Sequence, residues 1–293
     1  MSATQMFYHL LMEQVMRHPL PRVPEHDAVM RDPAQVHAFA DSGRDQGILQ
    51  PLYLYHATQC LPVLRTGDTV LDLACGPANQ LACMARLNPD CHFFGLDASP
   101  AMLDLAGETL RQQQIDNVTL MQGDITNLHF LHQASQDAVM CTMSLHHLPD
   151  TRSLGQASRE IRRVLRPGGG LYLADFGRLK RLASQRYFAH DRASEQSPAF
   201  TRDFLASLRA AFSVAEMRHA LQSANLETRT DQTALAPFLM IFRSTTRRQI
   251  DRPLQQRWQQ AWHTLDAQAQ QDFHNLVRWF RLGGLALPPG IPG

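Results

Sequence analysis

The sequence has 293 residues, 44% of them hydrophobic and 19% charged, which suffices for one large core with an appendage or two modest cores and excludes wholesale disorder. Its 28 basic residues almost cancel its 27 acidic ones, and a formal net charge of +1 excludes a general electrostatic pull toward nucleic acid or a membrane surface.

The N-terminal stretch MSATQMFYHLLMEQVMRHPLP places His9 and Glu13 inside its apolar part and has no early basic cluster, so it does not read as a secretory signal. No apolar run approaches the roughly 18 residues of a membrane-spanning helix, so no membrane partner is expected. Residues 1–65 read as helical and irregular. Pro19, Pro21, Pro24 and Pro33 break the first part, and LQPLYLYHATQCLPVL restores an apolar face ahead of the first strand. From Asp68 to about Asp175, strands at 69–73, 91–96, 118–122, 137–142 and 170–175 alternate with helices at 79–87, 100–113 and 153–165. The strands are nearly continuous in apolar residues, as strands covered on both faces are, and the alternation predicts a parallel, doubly wound α/β sheet.

Residues 177–222 read as mainly helical, with stripes in TRDFLASLRAAF and VAEMRHALQSA. Two further strands are expected at Leu226–Arg229 and Pro237–Arg243. Residues 247–282 are helical again. Leu254, Trp258, Ala261, Trp262, Leu265, Phe273, Leu276, Val277 and Phe280 form an apolar stripe, with a break expected near Ala269–Asp272. A stripe this aromatic needs a cover, either its own domain or a second copy in a homodimer. The tail GGLALPPGIPG reads as extended. Cys60, Cys75, Cys83, Cys91 and Cys141 form no CxxC pair and no His-Cys ligand spacing. Reduced thiols in a cytoplasm are therefore expected, and no metal centre.

The segment VLDLACGPANQL places Val70, Leu71 and Leu73 on a strand, then small residues, then Leu81, Met84 and Leu87 at helical spacing. Strand, tight turn and helix make a nucleotide-binding pattern. A dinucleotide register G-x-G-x-x-G puts Ala74, Gly76 and Asn79 on the glycine positions and fails at the last. A methyl-donor register, an acidic residue followed by small residues at alternate positions, falls on Asp72, Ala74, Gly76 and Ala78 and fits better. Asp97 ends the second strand, CHFFGLD, where a carboxylate can accept both ribose hydroxyls in either type of site. Ser99 caps the helix that begins at Pro100.

MQGDITNL then places Asp124 after the third strand, DAVMCTMSLHHLPD follows as the fourth strand and its exit, and REIRRVLRPGGGLYLADF leads into the fifth strand, which ends in Asp175. In this order and spacing the segments resemble the class I S-adenosylmethionine-dependent methyltransferases, small-molecule branch, over about residues 50–243. The resemblance implies a Rossmann-like seven-stranded sheet with helices on both faces, a last strand that runs antiparallel, and S-adenosyl-L-methionine as cofactor. It also implies a helical N-terminal cap (1–65), a donor-binding domain (66–243) with an acceptor-side helical insertion (177–222), and a C-terminal helical extension and tail (244–293).

By the same resemblance, Ala74 and Gly76 hold the methionine part of the donor, and Asp72 anchors the loop and favours the ammonium group. Asp97, with Ala98 beside it, takes the ribose hydroxyls. Asp124 accepts from the adenine amino group with the Ile125 backbone nearby, and Met143 lines the pocket. Tyr53 covers the donor; because Tyr53 and Tyr55 cannot share a helical face, one of the two packs. His146 and His147 leave the fourth strand on the acceptor side, with His147 the one expected to face the pocket. There a histidine positions an acceptor or takes its proton, or else only hydrogen-bonds the loop. The binding role is favoured for Asp97 and Asp124 over the alternative of a solvated turn or helix cap, and Arg178 either binds an acceptor carboxylate or is simply solvated.

The implied activity is methyl transfer to a small-molecule acceptor. The fourth-strand exit has neither an Asn/Asp-Pro-Pro-Tyr pattern nor a Pro-Cys nucleophile, which with the neutral charge argues against nucleic acid. Two other readings remain at this point: an NAD(P)-type Rossmann oxidoreductase, and a catalytically silent donor-fold subunit.

Overall fold

The apolar runs become a seven-stranded sheet in a computed structural model that describes residues 3–25, 43 and 47–292. Pro33 and the 26–42 and 44–46 stretches of the N-terminal segment lie outside the described residues. In chain order the strands are β1 (Thr69–Leu73), β2 (His92–Asp97), β3 (Val118–Gln122), β4 (Gln136–Thr142), β5 (Leu165–Phe176), β6 (Arg229–Gln232) and β7 (Leu239–Arg243). Their spatial order is β3-β2-β1-β4-β5-β7-β6. The first five pair in parallel, and β7 runs antiparallel to both neighbours, β5 and β6. The order reverses between β1 and β4, and the carboxyl ends flanking that switch point are where such sheets bind ligands.

Successive side chains of each central strand enter different cores. Val70, Met140 and Tyr172 join a core with α2 (Gln50–Cys60), α3 (Asn79–Leu87) and α4 (Pro100–Gln112). Leu71, Val139, Cys141 and Leu173 join a second core with α5 (Thr151–Val164) and α8 (Val214–Ser223). Burial on both faces is why these strands read as unbroken apolar runs. Three further helices are α1 (Ala3–Val15), α6 (Leu182–His190) and α7 (Pro198–Ala210). Glu13, the carboxylate in the apolar part of α1, is buried and accepts from the backbone N–H groups of Lys180 (2.6 Å) and Arg181 (3.1 Å) just before α6. The interaction favours the positive end of that helix. No described helix is long and apolar enough to cross a membrane.

Three of the boundaries that differ from the sequence expectation have a clear local reason. β6 begins at Arg229 rather than Leu226. Asn225 takes a left-handed φ of 55°, its N–H bonds Gln222 O, and Leu226 N–H bonds Leu221 O, so Leu226 is the buried residue of a Schellman motif that ends α8. β5 starts five residues early, because Leu165 pairs with Gln136 and Gly170 pairs with Ala138 while the Pro-Gly-Gly turn bulges between them. The C-terminal helices, α9 (Arg252–His263) and α10 (Ala267–Leu282), break before Ala267, because the Asp266 side chain accepts from Ala269 N (2.7 Å) and caps α10.

The aromatic stripe of α9 and α10 is consumed within the chain. Trp258 Nε1 donates to Thr58 Oγ1 (2.7 Å), Tyr55 stacks on Phe280 (5.0 Å), and Trp258, Phe273 and Phe280 are fully buried. The stripe that suggested a homodimer is therefore already covered by α2 and α3.

His56 is buried against this core, with Nδ1 sharing a hydrogen bond with Tyr172 Oη (2.8 Å) and Nε2 buried without a partner. Burial lowers its pKa to about 3, from an ordinary value of 6.5. Below pH 6.5 the unfolded chain therefore binds a proton that the folded chain refuses, and stability falls as pH drops from 6.5 toward 3. His56→Gln should flatten the slope of stability against pH over that window by up to one proton, measured by urea unfolding at a series of pH values. An unchanged slope contradicts the assignment.

Candidate active site

The turn after β1 takes an unusual backbone path. Ala74, Gly76 and Ala78 have φ values of 58°, 54° and 60°, all in the left-handed region. Two alanines keep that geometry at a cost of about 1–2 kcal/mol each, which is why small residues recur at alternate positions. Asp97 holds the turn. Its Oδ2 accepts from Gly76 N (2.8 Å) and its Oδ1 from Ser99 N (2.8 Å), where α4 begins. Asp72 is buried beside it. Burial first, and the Asp97 charge second, push the Asp72 carboxyl well above its ordinary range. Burial also raises Asp97, against the backbone donors of Ser99 and Gly76. Two crowded carboxyls at a strand switch point favour a bound cation.

The other expected donor residues lie along the same edge. Ala98 is exposed next to Asp97. Asp124 Oδ1 accepts from Thr126 N and Thr126 Oγ1 (both 2.8 Å), a tight turn that presents an exposed carboxylate at the end of β3 with half-buried Ile125 next to it. Met143 has a left-handed φ of 55°, and its N–H bonds Ala174 O (2.8 Å). Ser144 Oγ donates to Ala74 O (3.3 Å), which ties the exit of β4 to the turn. Tyr53 is the tyrosine of α2 that faces this side, and Tyr55 is the one that packs. A Cβ on Gly43 would stand 2.7 Å from Tyr53 Oη, so only glycine lets the N-terminal segment approach so closely.

Met143 and Tyr53 also border a chamber of about 780 Å³. One wall is aromatic, built from Phe176, Phe188, Phe200, Phe204 and Phe238, with Phe188 stacked on Phe238 at 4.4 Å. The polar end holds Glu25, His146 and His147. His146 is buried, and its Nδ1 pairs with Asp175 Oδ1 (2.6 Å) while its backbone N–H bonds Oδ2 (2.8 Å). Burial lowers the His146 pKa, but the Asp175 and Glu25 carboxylates together raise it, and the net shift is upward. His147 Nδ1 hydrogen-bonds Glu25 Oε2, and Ser207 Oγ donates to Glu25 Oε1 (2.8 Å). Burial opposes ionisation of Glu25, yet the two histidines and Ser207 bring its pKa down to about 2. An ionised Glu25 only accepts, so His147 Nδ1 is the donor of their hydrogen bond and Nε2 is the ring nitrogen left for a ligand. One ligand atom from each of Glu25, His146 and His147 falls within 4.8 Å of the others, a grouping the expectation of no metal centre did not foresee.

Arg178 is not in the chamber. It pairs with Glu216 and donates to Ala211 O (3.1 Å), so it is neither solvated nor acceptor-binding. Glu25, Ser207 and the pairing role of Asp175 were not singled out from the sequence. Asp175 was visible as a strand-end carboxylate, whereas nothing local marks Glu25.

Residues 70–169 match the family described as "Methyltransferase domain". A demethylmenaquinone methyltransferase from Listeria welshimeri is 36% identical over 119 residues, covering 40% of this chain and 49% of that protein. The chain thus spans about half the length of the curated relatives it matches. Among solved structures, a SAM-dependent methyltransferase from Aquifex aeolicus aligns with a TM-score of 0.52 at 18% identity, over 73% of this chain and 98% of that one. An O-methyltransferase family protein from Burkholderia thailandensis aligns with a TM-score of 0.57 at 19% identity, over 83% and 68%. These two likenesses bear on the fold. Residues 70–169 thus carry a methyltransferase domain, and the sheet order with these two likenesses gives the chain the fold of the S-adenosylmethionine-dependent methyltransferases.

Proposed function

We propose that the protein methylates a largely apolar small molecule, bound in the aromatic chamber and carrying an acidic proton on the atom that is methylated. The observation behind this reading is the chamber itself, which runs from Met143 and Tyr53 at the donor turn to the His146–His147–Glu25 cluster. Relatives named demethylmenaquinone methyltransferase, and a structural relative titled O-methyltransferase family protein, support a small-molecule acceptor.

The donor turn fits the cofactor. Buried Asp72 and half-buried Asp97, whose ionised forms are crowded together without a counter-charge, suit a ligand that brings an ammonium group and ribose hydroxyls, and the left-handed turn lets backbone approach it. In this reading Ala74 and Gly76 hold the methionine part, with Asp72 toward the ammonium. Asp97 and Ala98 take the ribose, Asp124 and Ile125 the adenine, and Met143 and Tyr53 cover the donor. S-adenosylmethionine supplies a methyl group already activated by a positive sulfur. The protein is left to align the acceptor, exclude water and move one proton. His147 Nε2 takes the acceptor proton while Glu25 holds the ring's Nδ1–H. His146, fixed by Asp175, orients the acceptor.

The test is transfer of labelled methyl from S-adenosylmethionine to a panel of phenols, hydroxyquinones and aromatic amines. Labelled product from ring-bearing acceptors supports the reading. S-adenosylmethionine binding without turnover on any acceptor class would favour a silent partner subunit. At the donor end, Asp97→Ala removes hydrogen bonds to a charged group, worth on the order of 1.5–3 kcal/mol, so S-adenosylmethionine affinity should fall about tenfold or more. Unchanged affinity by calorimetry contradicts the ribose assignment.

A further inference from the structure

The segment 21–25 has no secondary structure of its own, yet it delivers Glu25 to the chamber. One side chain in it reaches two distant parts of the chain. The Arg22 guanidinium donates from Nε to Ala210 O (2.6 Å) and from Nη1 to Pro149 O (2.6 Å). From Nη2 it donates to His146 O (2.7 Å) and Leu148 O (2.5 Å). Its plane lies 4.0 Å over the Phe212 ring. Val23 N–H adds a bond to Arg209 O (3.0 Å). Ala210 is the last residue of α7, so Arg22 satisfies a carbonyl the helix leaves open. His146, Leu148 and Pro149 belong to the loop that carries both histidines. Ser207, which bonds Glu25, lies one turn back on α7.

We propose that Arg22 is the positioning residue of the acceptor site, stapling the N-terminal segment to the histidine loop and to α7 so that Glu25 stands against His147. A planar fork with five donors can span these carbonyls at once, which an ammonium cannot. The proton-taking pair is then completed by a segment outside residues 70–169, where the family match lies. The inference rests on the proposed role of His147, but its test uses no acceptor, so failure of one is distinguishable from failure of the other.

The experiment is nuclear magnetic resonance of the full chain with ¹⁵N-labelled histidine side chains, in wild type, Arg22→Ala, Arg22→Lys and Glu25→Gln. Calorimetry with S-adenosylhomocysteine reports the donor site in each. Glu25→Gln identifies the low-field Nδ1–H resonance of His147 that depends on the pairing. Both Arg22 variants should lose that resonance, the double variant Arg22→Ala/Glu25→Gln should show no further change, and millimolar guanidinium should restore it in Arg22→Ala. S-adenosylhomocysteine affinity should stay within about twofold of wild type throughout, since no staple bond touches the donor turn. If Arg22→Ala does not fold, Arg22→Lys carries the test. A His147 resonance unchanged in the Arg22 variants overturns the proposal. So does its loss together with loss of S-adenosylhomocysteine binding, which would mark Arg22 as a general structural support.

Discussion

Replacing His147 by alanine should lower turnover about 10²–10⁴-fold at saturating S-adenosylmethionine, the range a positioned general base contributes. Affinity for S-adenosylmethionine should change far less, since the ring hydrogen bond of His147 is with Glu25. The imidazole suits the role because its Nδ1 is held by an ionised carboxylate, which leaves Nε2 oriented toward a ligand. Its side chain is 30% exposed, against 3% for His146, so of the two it has room to meet a ligand. Steady-state kinetics with an acceptor from the phenol, hydroxyquinone and amine panel, paired with calorimetry, separates the outcomes. Normal turnover with weakened donor binding would move His147 to the cofactor pocket and remove it as the base.

Truncation after Thr246 should abolish cooperative folding. The removed segment contributes Leu254, Trp258, Phe273, Phe280, Leu285 and Ile291 to the core that covers one face of the sheet. Deleting a single buried Phe or Trp side chain costs about 3–5 kcal/mol, so the three aromatics alone match or exceed the 5–15 kcal/mol that holds a typical domain folded. The deletion also removes Arg247, whose guanidinium pairs with buried Asp68 (2.6 Å) and bonds Val63 O (2.9 Å). Loss of a melting transition in near-ultraviolet circular dichroism is the expected result. A truncated chain that melts cooperatively near the wild-type temperature would show that α9 and α10 are an appendage rather than a layer of the core.

Much of the sheet was readable because burial on both faces writes itself into composition. β1 and β3 fall where their apolar runs lie, at 69–73 and 118–122. Leu226 misled for the opposite reason: an apolar residue next to a strand was spent on closing a helix, through a left-handed Asn225 that leaves no periodic mark. The turn after β1 was readable because small residues occupy its three left-handed positions, and the strand-end carboxylates fall at regular places in the pattern. The acceptor end was half-readable. The paired histidines stood out, but the partner of His147 lies 122 residues away in a segment with no periodicity. Arg22 likewise bonds only carbonyls, which every residue possesses and no sequence distinguishes. Tyr53 and Tyr55 had to part ways on a helix, but which one packed depended on Phe280, in a helix more than two hundred residues downstream whose docking no local pattern encodes.

The most direct measurement is a crystal structure of the full chain with S-adenosylhomocysteine. The ribose should lie on Asp97, the adenine beside Asp124 and Ile125, and the thioether sulfur at the mouth of the chamber between Met143 and Tyr53, facing His147. A ligand seated on the turn with its sulfur directed away from the chamber, or one that leaves Asp97 without a hydroxyl partner, would contradict the assignment of this chamber as the acceptor site.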